Sequence, residues 1–259
     1  MLNNRKPGRK SNAALLYKTI CVLLIIGLMI LGISVFTVAN NIEVIGVRKY
    51  TEKQVIEASG FNTGDNLLFL DIENAELRIQ TILPHISEVK ISAKFPDTIR
   101  IEVVESTPIA TVRYRNGILV IDSAVRVVEV YTNENNVPRG LIEIRGFTPM
   151  SAVMGSKLKA ELTGESQLRY LGDILTAIEI EGLDNNISYI DISNITNITF
   201  NYTDRFRVVL DSPSNIAVNL SILKDTIADA ERGGRIEPGQ RGTLTFSDSR
   251  GQVTFNPDN

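Results

Sequence analysis

An α+β fold behind a single membrane-crossing helix is the architecture this sequence predicts, on three observations. Residues Thr19 to Ala39 carry no charged side chain. After them, stretches of helical spacing sit among stretches in which apolar and polar side chains alternate. From Ile109 onward, short β-rich runs separated by turn residues outnumber the helical ones.

The composition narrows the function classes. The chain has 259 residues, 43% apolar and 22% charged, with a formal net charge of -3, enough for one large or two ordinary domains with apolar cores. Its single Cys cannot close an intramolecular disulfide, and one His with one Cys cannot build a two-plus-two zinc site. An acidic balance without Trp argues against a protein that wraps duplex nucleic acid, because phosphate neutralisation needs a basic excess.

As a helix at about 1.5 Å per residue, Thr19–Ala39 covers roughly 30 Å of hydrocarbon. Arg5, Lys6, Arg9, Lys10 and Lys18 precede it with no acid among them, so the positive-inside bias puts the N-terminus in the cytoplasm. Beyond the run, 22 Lys and Arg face 30 Asp and Glu, so the extracytoplasmic part is acidic by about -8. Thr37-Val38-Ala39 offers small residues suited to signal cleavage, but the apolar run exceeds the roughly 7 to 15 residues of a signal peptide's core. An uncleaved anchor is therefore expected, with Cys21 an inert apolar residue inside it. Five N-x-[ST] sequons, at Asn186, Asn194, Asn197, Asn201 and Asn219, follow from a composition rich in Asn, Ile and Thr and are not read as glycan sites.

Just outside the run, Ile42 to Val47 is β-rich and reads as a short buried strand. Thr51-Glu52-Lys53-Gln54 is a capping box that opens a helix, and Gly60 stops it. A second helix starts at Asp71, repeats Ile72, Ala75, Ile79 and Ile82 on one face, and closes at Pro84. Val89, Ile91 and Ala93 alternate with Lys90, Ser92 and Lys94; the turn Phe95-Pro96-Asp97 follows; Ile99, Ile101 and Val103 alternate with Arg100 and Glu102. That is an antiparallel hairpin with one wet face. Two helices on one face of this small sheet bury a single core.

Ile45-Gly46, Asn66-Leu67 with Phe69, Leu83-Pro84, the Val89–Lys94 strand, Phe95-Pro96-Asp97-Thr98-Ile99 and Glu105-Ser106-Thr107-Pro108-Ile109-Ala110 stand here in order. Together, after a single basic-inside span, they resemble the FtsQ/DivIB bacterial cell-division proteins. Lys94 and Phe95 stand where the family has a basic and an aromatic residue, and Thr107 departs from the family's usual Arg. The resemblance implies a basic tail over 1–18, a span over 19–39, a POTRA-type β-α-α-β-β domain over 42–105, and a mixed β-rich domain with antiparallel strands and two helices over 107–259.

Within 107–259, Ile109–Tyr114 and Ile118–Ile121 flank Arg115-Asn116-Gly117, where Asn-Gly favours a tight type I′ hairpin. Gly117, Leu119, Val120 and Asp122 match the Gly-x-Leu-Val-x-Asp stretch with which the family opens this domain. Asp122 reads as a strand-end carboxylate accepting turn amides rather than as a catalytic acid. Val125–Val130 is strand-like, and residues 132–164 mix turns with one strand, Leu141–Arg145. Leu168, Leu171, Ile174, Leu175 and Ile178 follow helical spacing up to Gly182. Strands are expected at Ile187–Ile192, Ile198–Tyr202 and Phe206–Leu210, a last helix carries Ile216, Leu220, Leu223 and Ile227, and two short strands, Thr243–Phe246 and Gln252–Phe255, close the chain.

No G-x-S-x-G, Walker A or H-E-x-x-H pattern occurs. His85, after a helix-ending proline, reads as a surface residue, and Glu231-Arg232-Gly233-Gly234-Arg235 as a solvated loop. The expectation is therefore no catalytic residues, no metal, no cofactor, no nucleic acid and no small-molecule substrate. Interaction chemistry remains. If the two terminal strands leave a sheet edge unpaired, a partner chain can add a strand there. In the family this region docks small bitopic partners of the FtsB/DivIC and FtsL types, so the resemblance implies partner-binding residues Thr243, Leu244, Thr245, Phe246 and Phe255. It implies a divisome scaffold at the division septum, in the bacterial cell membrane, that helps regulate septal peptidoglycan synthesis. Two other classes compete. A POTRA-containing envelope-assembly or secretion factor would carry tandem repeats or barrel strands, and neither is present. A wall hydrolase would use paired carboxylates such as Asp191 and Asp204.

Overall fold

The computed structural model describes residues 12–161, 164–212, 215–247 and 252–258. The fold is α+β. Helix α1 (Asn12–Phe36) leads into β1 (Asn41–Ile45), α2 (Glu52–Ser59), α3 (Ile72–Ile82), β2 (Ile86–Lys94) and β3 (Thr98–Glu105). The N-terminal cations Arg5, Lys6, Arg9 and Lys10 lie outside the described residues. Among the described residues no helix is long and apolar enough to cross a membrane. The backbone of α1 is helical over 25 residues, but the side chains described along it are those at 16–29, 32 and 36. They include Ile20, Leu23, Leu24, Ile25, Leu28 and Met29, all exposed.

The helix stops at Phe36, three residues before the uncharged run ends. Thr37 to Ala39 are extended because a neighbouring loop takes their backbone groups: Leu67 N–H donates to Thr37 O, Ala39 N–H to Asp65 O, and Gly64 N–H to Ala39 O, each at 2.8 Å. Thr37 and Ala39 are buried there, so packing explains the small residues that resembled a cleavage site.

The first sheet has the order β1-β3-β2, with β1 parallel and β2 antiparallel to β3. Its expected features form as read. Thr51 and Gln54 close a reciprocal capping box, Gly60 ends α2 in the left-handed region, and the Asp71 side chain accepts the Asn74 N–H. Ile99, Ile101 and Val103 of β3 point into a core with Val55, Ala58, Ala75 and Ile79. On the wet face Arg100 Nε lies 3.0 Å from Glu43 Oε2, its neighbour in register. Ile82 departs from expectation: it is exposed, and Leu83, which ends the helix, takes the place in the core. Gly46 has φ +97, and a Cβ there would lie 1.9 Å from Val103 O, so only glycine lets the chain leave β1 against β3.

The second sheet holds nine strands in the order β12-β11-β10-β9-β8-β7-β4-β5-β6. They are β4 (Ala110–Tyr114), β5 (Gly117–Ile121), β6 (Val127–Tyr131), β7 (Ile142–Arg145), β8 (Tyr189–Asp191), β9 (Ile198–Tyr202), β10 (Phe206–Leu210), β11 (Gly242–Ser247) and β12 (Gln252–Pro257). Helices α4 (Glu165–Glu181), α5 (Ile216–Ser221) and α6 (Leu223–Arg232) cover the core that includes Leu171, Ile174, Leu175, Ile178, Phe200, Phe206 and Leu220.

Several expectations need correction here. The pairs β4–β7, β7–β8 and β10–β11 are parallel, so the sheet is mixed. The last helix divides at Ile222, giving three helices rather than two, yet Ile216, Leu220, Leu223 and Ile227 stay buried on one stripe across the break. The β4–β5 turn is not type I′ on Asn-Gly. Tyr114 pairs with Gly117, so Arg115 and Asn116 are the central residues, and of these only Arg115 has positive φ. Asp122 behaves as expected, its Oδ1 accepting the Arg126 N–H at 2.8 Å, while its buried Oδ2 has no partner among the described residues.

One buried side chain ties the two sheets together. The Arg126 Nη1 donates to Ile86 O at 2.6 Å, and Nη2 and Nε donate to Gly155 O at 2.9 and 3.3 Å. Burial holds the guanidinium pKa below its usual value, against the opposing pull of the Asp122 carboxylate. Gly155 has φ +79, and a Cβ there would lie 2.4 Å from Gln80 O of α3. Arg126→Ala strands both carbonyls, each worth about 1–3 kcal/mol, so urea unfolding is expected to show a loss of about 3 kcal/mol. Gly155→Ala is expected to destabilise in the same direction.

Candidate partner-binding edge

Strand β11 does not lie at an edge. Thr243 pairs with Arg207 on one side and Asn256 on the other, and Leu244, Thr245 and Phe246 are likewise flanked by β10 and β12. Leu244 and Phe246 are core residues, each 2% exposed, while Thr243 and Thr245 lie half-buried on the opposite face. Of the five residues expected to bind partners, Phe255 alone belongs to the outermost strand. Its ring meets Phe206 edge to face at 6.1 Å and 77°, an arrangement favoured by the ring quadrupoles. The other four lie one strand in from the edge because β12 covers β11.

The pairing phase of β12 can be read from three bonds. Asp258 N–H donates to Arg241 O at 3.0 Å, across the register that pairs Asn256 with Thr243, while Gly242 N–H donates to Arg205 O and Phe246 O accepts from Asp211 N–H on the β10 side. Residues of an antiparallel strand alternate between exchanging both backbone bonds with a neighbour and directing them away. Gln252, Thr254 and Asn256 therefore bond β11, and Val253 and Phe255 aim N–H and C=O outward. Pro257 falls in the outward set, where its missing N–H costs no bond of the sheet. Val253 and Phe255 pack their side chains on the core, so this edge has an apolar inner face and exposed Gln252, Thr254 and Asn256 outside.

At the opposite edge, β6 is partly covered. Val127 N–H donates to Ser156 O, Gly155 N–H to Val127 O, and Arg126 bridges Lys157. Glu129 of β6 meets the first sheet's unit. Here the structure corrects the reading of His85, which is buried rather than on the surface. Its Nε2 lies 2.9 Å from Glu129 Oε1 and 2.7 Å from Lys49 Nζ, and Tyr131 Oη donates to Glu129 Oε2 at 2.7 Å. Separations of 44 and 36 residues left no local signal of this cluster.

The remaining sequence candidates do not assemble. Asp191 accepts from the Ser193 hydroxyl and N–H, which together hold its pKa below the usual value despite partial burial. Asp204 follows the far end of β9 from the Asp191–Thr199 pair, so the two carboxylates do not face each other. Glu231 to Arg235 ends α6, where carbonyls rather than amides are free, and Glu231 pairs with Arg205 at 2.9 Å. Among the described residues no group of three or more His, Cys, Asp and Glu could hold a metal ion.

Burial pushes the Glu129 carboxyl up, but Tyr131, Lys49 and His85 outweigh it and hold its pKa below the ordinary 4.5. A depressed carboxylate contributes stability above its unfolded pKa and loses it as pH falls through the folded value. Acidification below about pH 4.5 is therefore expected to weaken the contact between the two sheets. Glu129→Gln should flatten that part of the melting-temperature profile and leave stability above pH 6 or so lower than wild type.

Comparison with known proteins agrees with this architecture. Residues 38–106 match the model of the FtsQ-type POTRA domain. The chain is 35% identical over 106 residues to the cell division protein FtsQ of Streptomyces coelicolor, a match covering 40% of each chain. It is 32% identical over 107 residues to FtsQ of Corynebacterium glutamicum, 41% of this chain and 46% of that one. Similarity to DivIB of Clostridium botulinum strain Hall is lower, 24% over 233 residues, but covers 88% of both. The motif-bearing first unit and the end-to-end similarity point the same way: the chain is similar to the FtsQ and DivIB cell-division proteins, and its residues 38–106 form an FtsQ-type POTRA domain.

Proposed function

We propose that this protein is a single-pass, non-enzymatic scaffold of the bacterial division machinery. The uncharged run from Thr19, with α1 as its helical core and exposed apolar side chains around it, supports a span with the basic N-terminus in the cytoplasm. Outside the membrane, 42–105 and 107–259 act as two domains, each with its own apolar core. The role is to hold FtsB/DivIC-like and FtsL-like chains at the septum and through them to help control septal peptidoglycan synthesis.

The observation that carries this reading is the outer side of β12, which pairs with no strand among the described residues and where the backbone of Val253 and Phe255 faces outward beside an apolar inner face. A partner segment adding there as a tenth strand gains backbone bonds from these residues and side-chain specificity from alternate positions. Thr243, Leu244, Thr245 and Phe246 then serve as the layer that holds β12 in place, with Phe255 the one residue of that set at the docking edge.

Co-isolation from membranes tests the reading. The full chain should recover an FtsB/DivIC-like and an FtsL-like protein. Val253→Pro removes an outward N–H while sparing the bonds from Gln252, Thr254 and Asn256 to β11, so folding should persist and partner affinity fall roughly fivefold to tenfold, at about 1 kcal/mol per backbone hydrogen bond. Recovery of neither partner, with division undisturbed on depletion, would sink the scaffold reading. Undiminished binding by Val253→Pro would move the site away from this edge.

A further inference from the structure

We infer that two loops of the first unit seat on the lipid surface around the exit of α1, fixing the unit's orientation on the membrane. The inference rests on the spanning reading of α1 and adds a second, peripheral lipid contact to it.

The placement comes from backbone bonds. The loop over 64–67 bonds Thr37 and Ala39, the residues directly after α1, and Val38 bridges Asn66. On the other side, Asp97 O accepts the N–H groups of Asn40 and Asn41 at 2.8 and 3.2 Å. The hairpin turn Phe95-Pro96-Asp97 therefore also starts level with the helix exit. Chains bonded in this way lie about 5 Å apart, so neither loop can move far from the point at which the chain leaves the hydrocarbon.

Each loop presents an uncovered apolar tip there. Phe69 is 78% exposed and Leu68 45%, Phe95 is 58%, and Phe36 at the end of α1 is 80%. The Leu68-Phe69 tip is rigid: Leu68 N–H donates to Asn66 Oδ1 at 2.9 Å and Phe69 N–H to Asn66 O at 3.1 Å. Three phenylalanine rings and a leucine held beside an apolar helix are the apolar side chains that interfacial segments bury at the boundary of headgroups and acyl chains.

Charge selects the mode of contact. Asp65 accepts from Asn62 N–H, Asp71 caps α3, and Asp97 receives the Asn40 side chain, so the nearby carboxylates are occupied within the protein. They nonetheless oppose anionic headgroups, with Lys94 as the local cation. The contact is therefore made by apolar insertion rather than by charge, and added salt should not release it.

The chain contains no Trp, so each of Phe69→Trp and Phe95→Trp creates a unique reporter. The full chain is reconstituted in vesicles of phosphatidylethanolamine and phosphatidylglycerol, with and without acyl-brominated lipids. Ile180→Trp, on the exposed side of α4, serves as the aqueous reference and Ile25→Trp, within α1, as the reference for insertion. Reporters at 69 and 95 should emit to the blue of that at 180, resist iodide and lose intensity to lipids brominated near the headgroups, with salt making no difference. If 25 is quenched by deeply brominated lipid while 69 and 95 stay iodide-accessible, the span stands and this inference falls. If 25 is also aqueous, the span falls and takes the inference with it. Blue emission at 69 and 95 without bromolipid quenching would assign the face to a protein contact and overturn the lipid reading.

Discussion

The guanidinium of Arg126 is the constraint on which the relation between the two halves depends. It lies between Ile86 O of the first sheet's unit and Gly155 O of the second, with the Asp122 carboxylate behind its own backbone. Arginine suits this position because its planar fork can donate in two directions at once while keeping its charge. Gly155 completes the joint by approaching α3 more closely than a side chain permits. The cluster of His85, Lys49, Glu129 and Tyr131 supplements it with charge. Since β6 sits at this joint and β12 is the outermost described strand on the other side of the sheet, β12 lies roughly 35–40 Å across the strands from it, at about 4.8 Å per strand.

The family's short motifs acquire physical roles in this frame. Asn66-Leu67 and Asp97 bond the chain as it leaves α1, and Gly46 permits β1 to part from β3. Glu105 receives the Lys49 and Tyr50 N–H groups at 2.7 and 3.1 Å, and Ser106 N–H donates to His85 O. These residues mostly serve the entry and exit of the first unit, where backbone groups have no ladder to join and must find other partners.

Local physics made much of the fold legible. The capping box at Thr51, the Asp71 cap, the Phe95-Pro96-Asp97 hairpin and strands β9 and β10 all depend on neighbours within a few positions, and they form where the sequence places them. Parallel pairing was not legible, because β4–β7 and β10–β11 join segments far apart in the chain, and alternation alone does not name a strand's neighbour. For that reason the terminal strands are recognisable in the sequence while their order, with β12 outside β11, is not. His85 was misread on the same ground: a residue after a helix-ending proline has no local pattern that foretells burial by a distant strand.

The entry into the first sheet has a mechanical consequence. No linker separates α1 from β1, and β1 runs parallel to β3 over five register pairs, Asn41–Thr98 to Ile45–Glu102. The chain leaves α1 for the start of β1 and departs for the second sheet from the end of β3. Tension between α1 and the second sheet therefore pulls these neighbours past each other in shear, loading the interstrand bonds together instead of opening them one after another. A load applied across the first unit is thus carried along its strands, its stiffest direction.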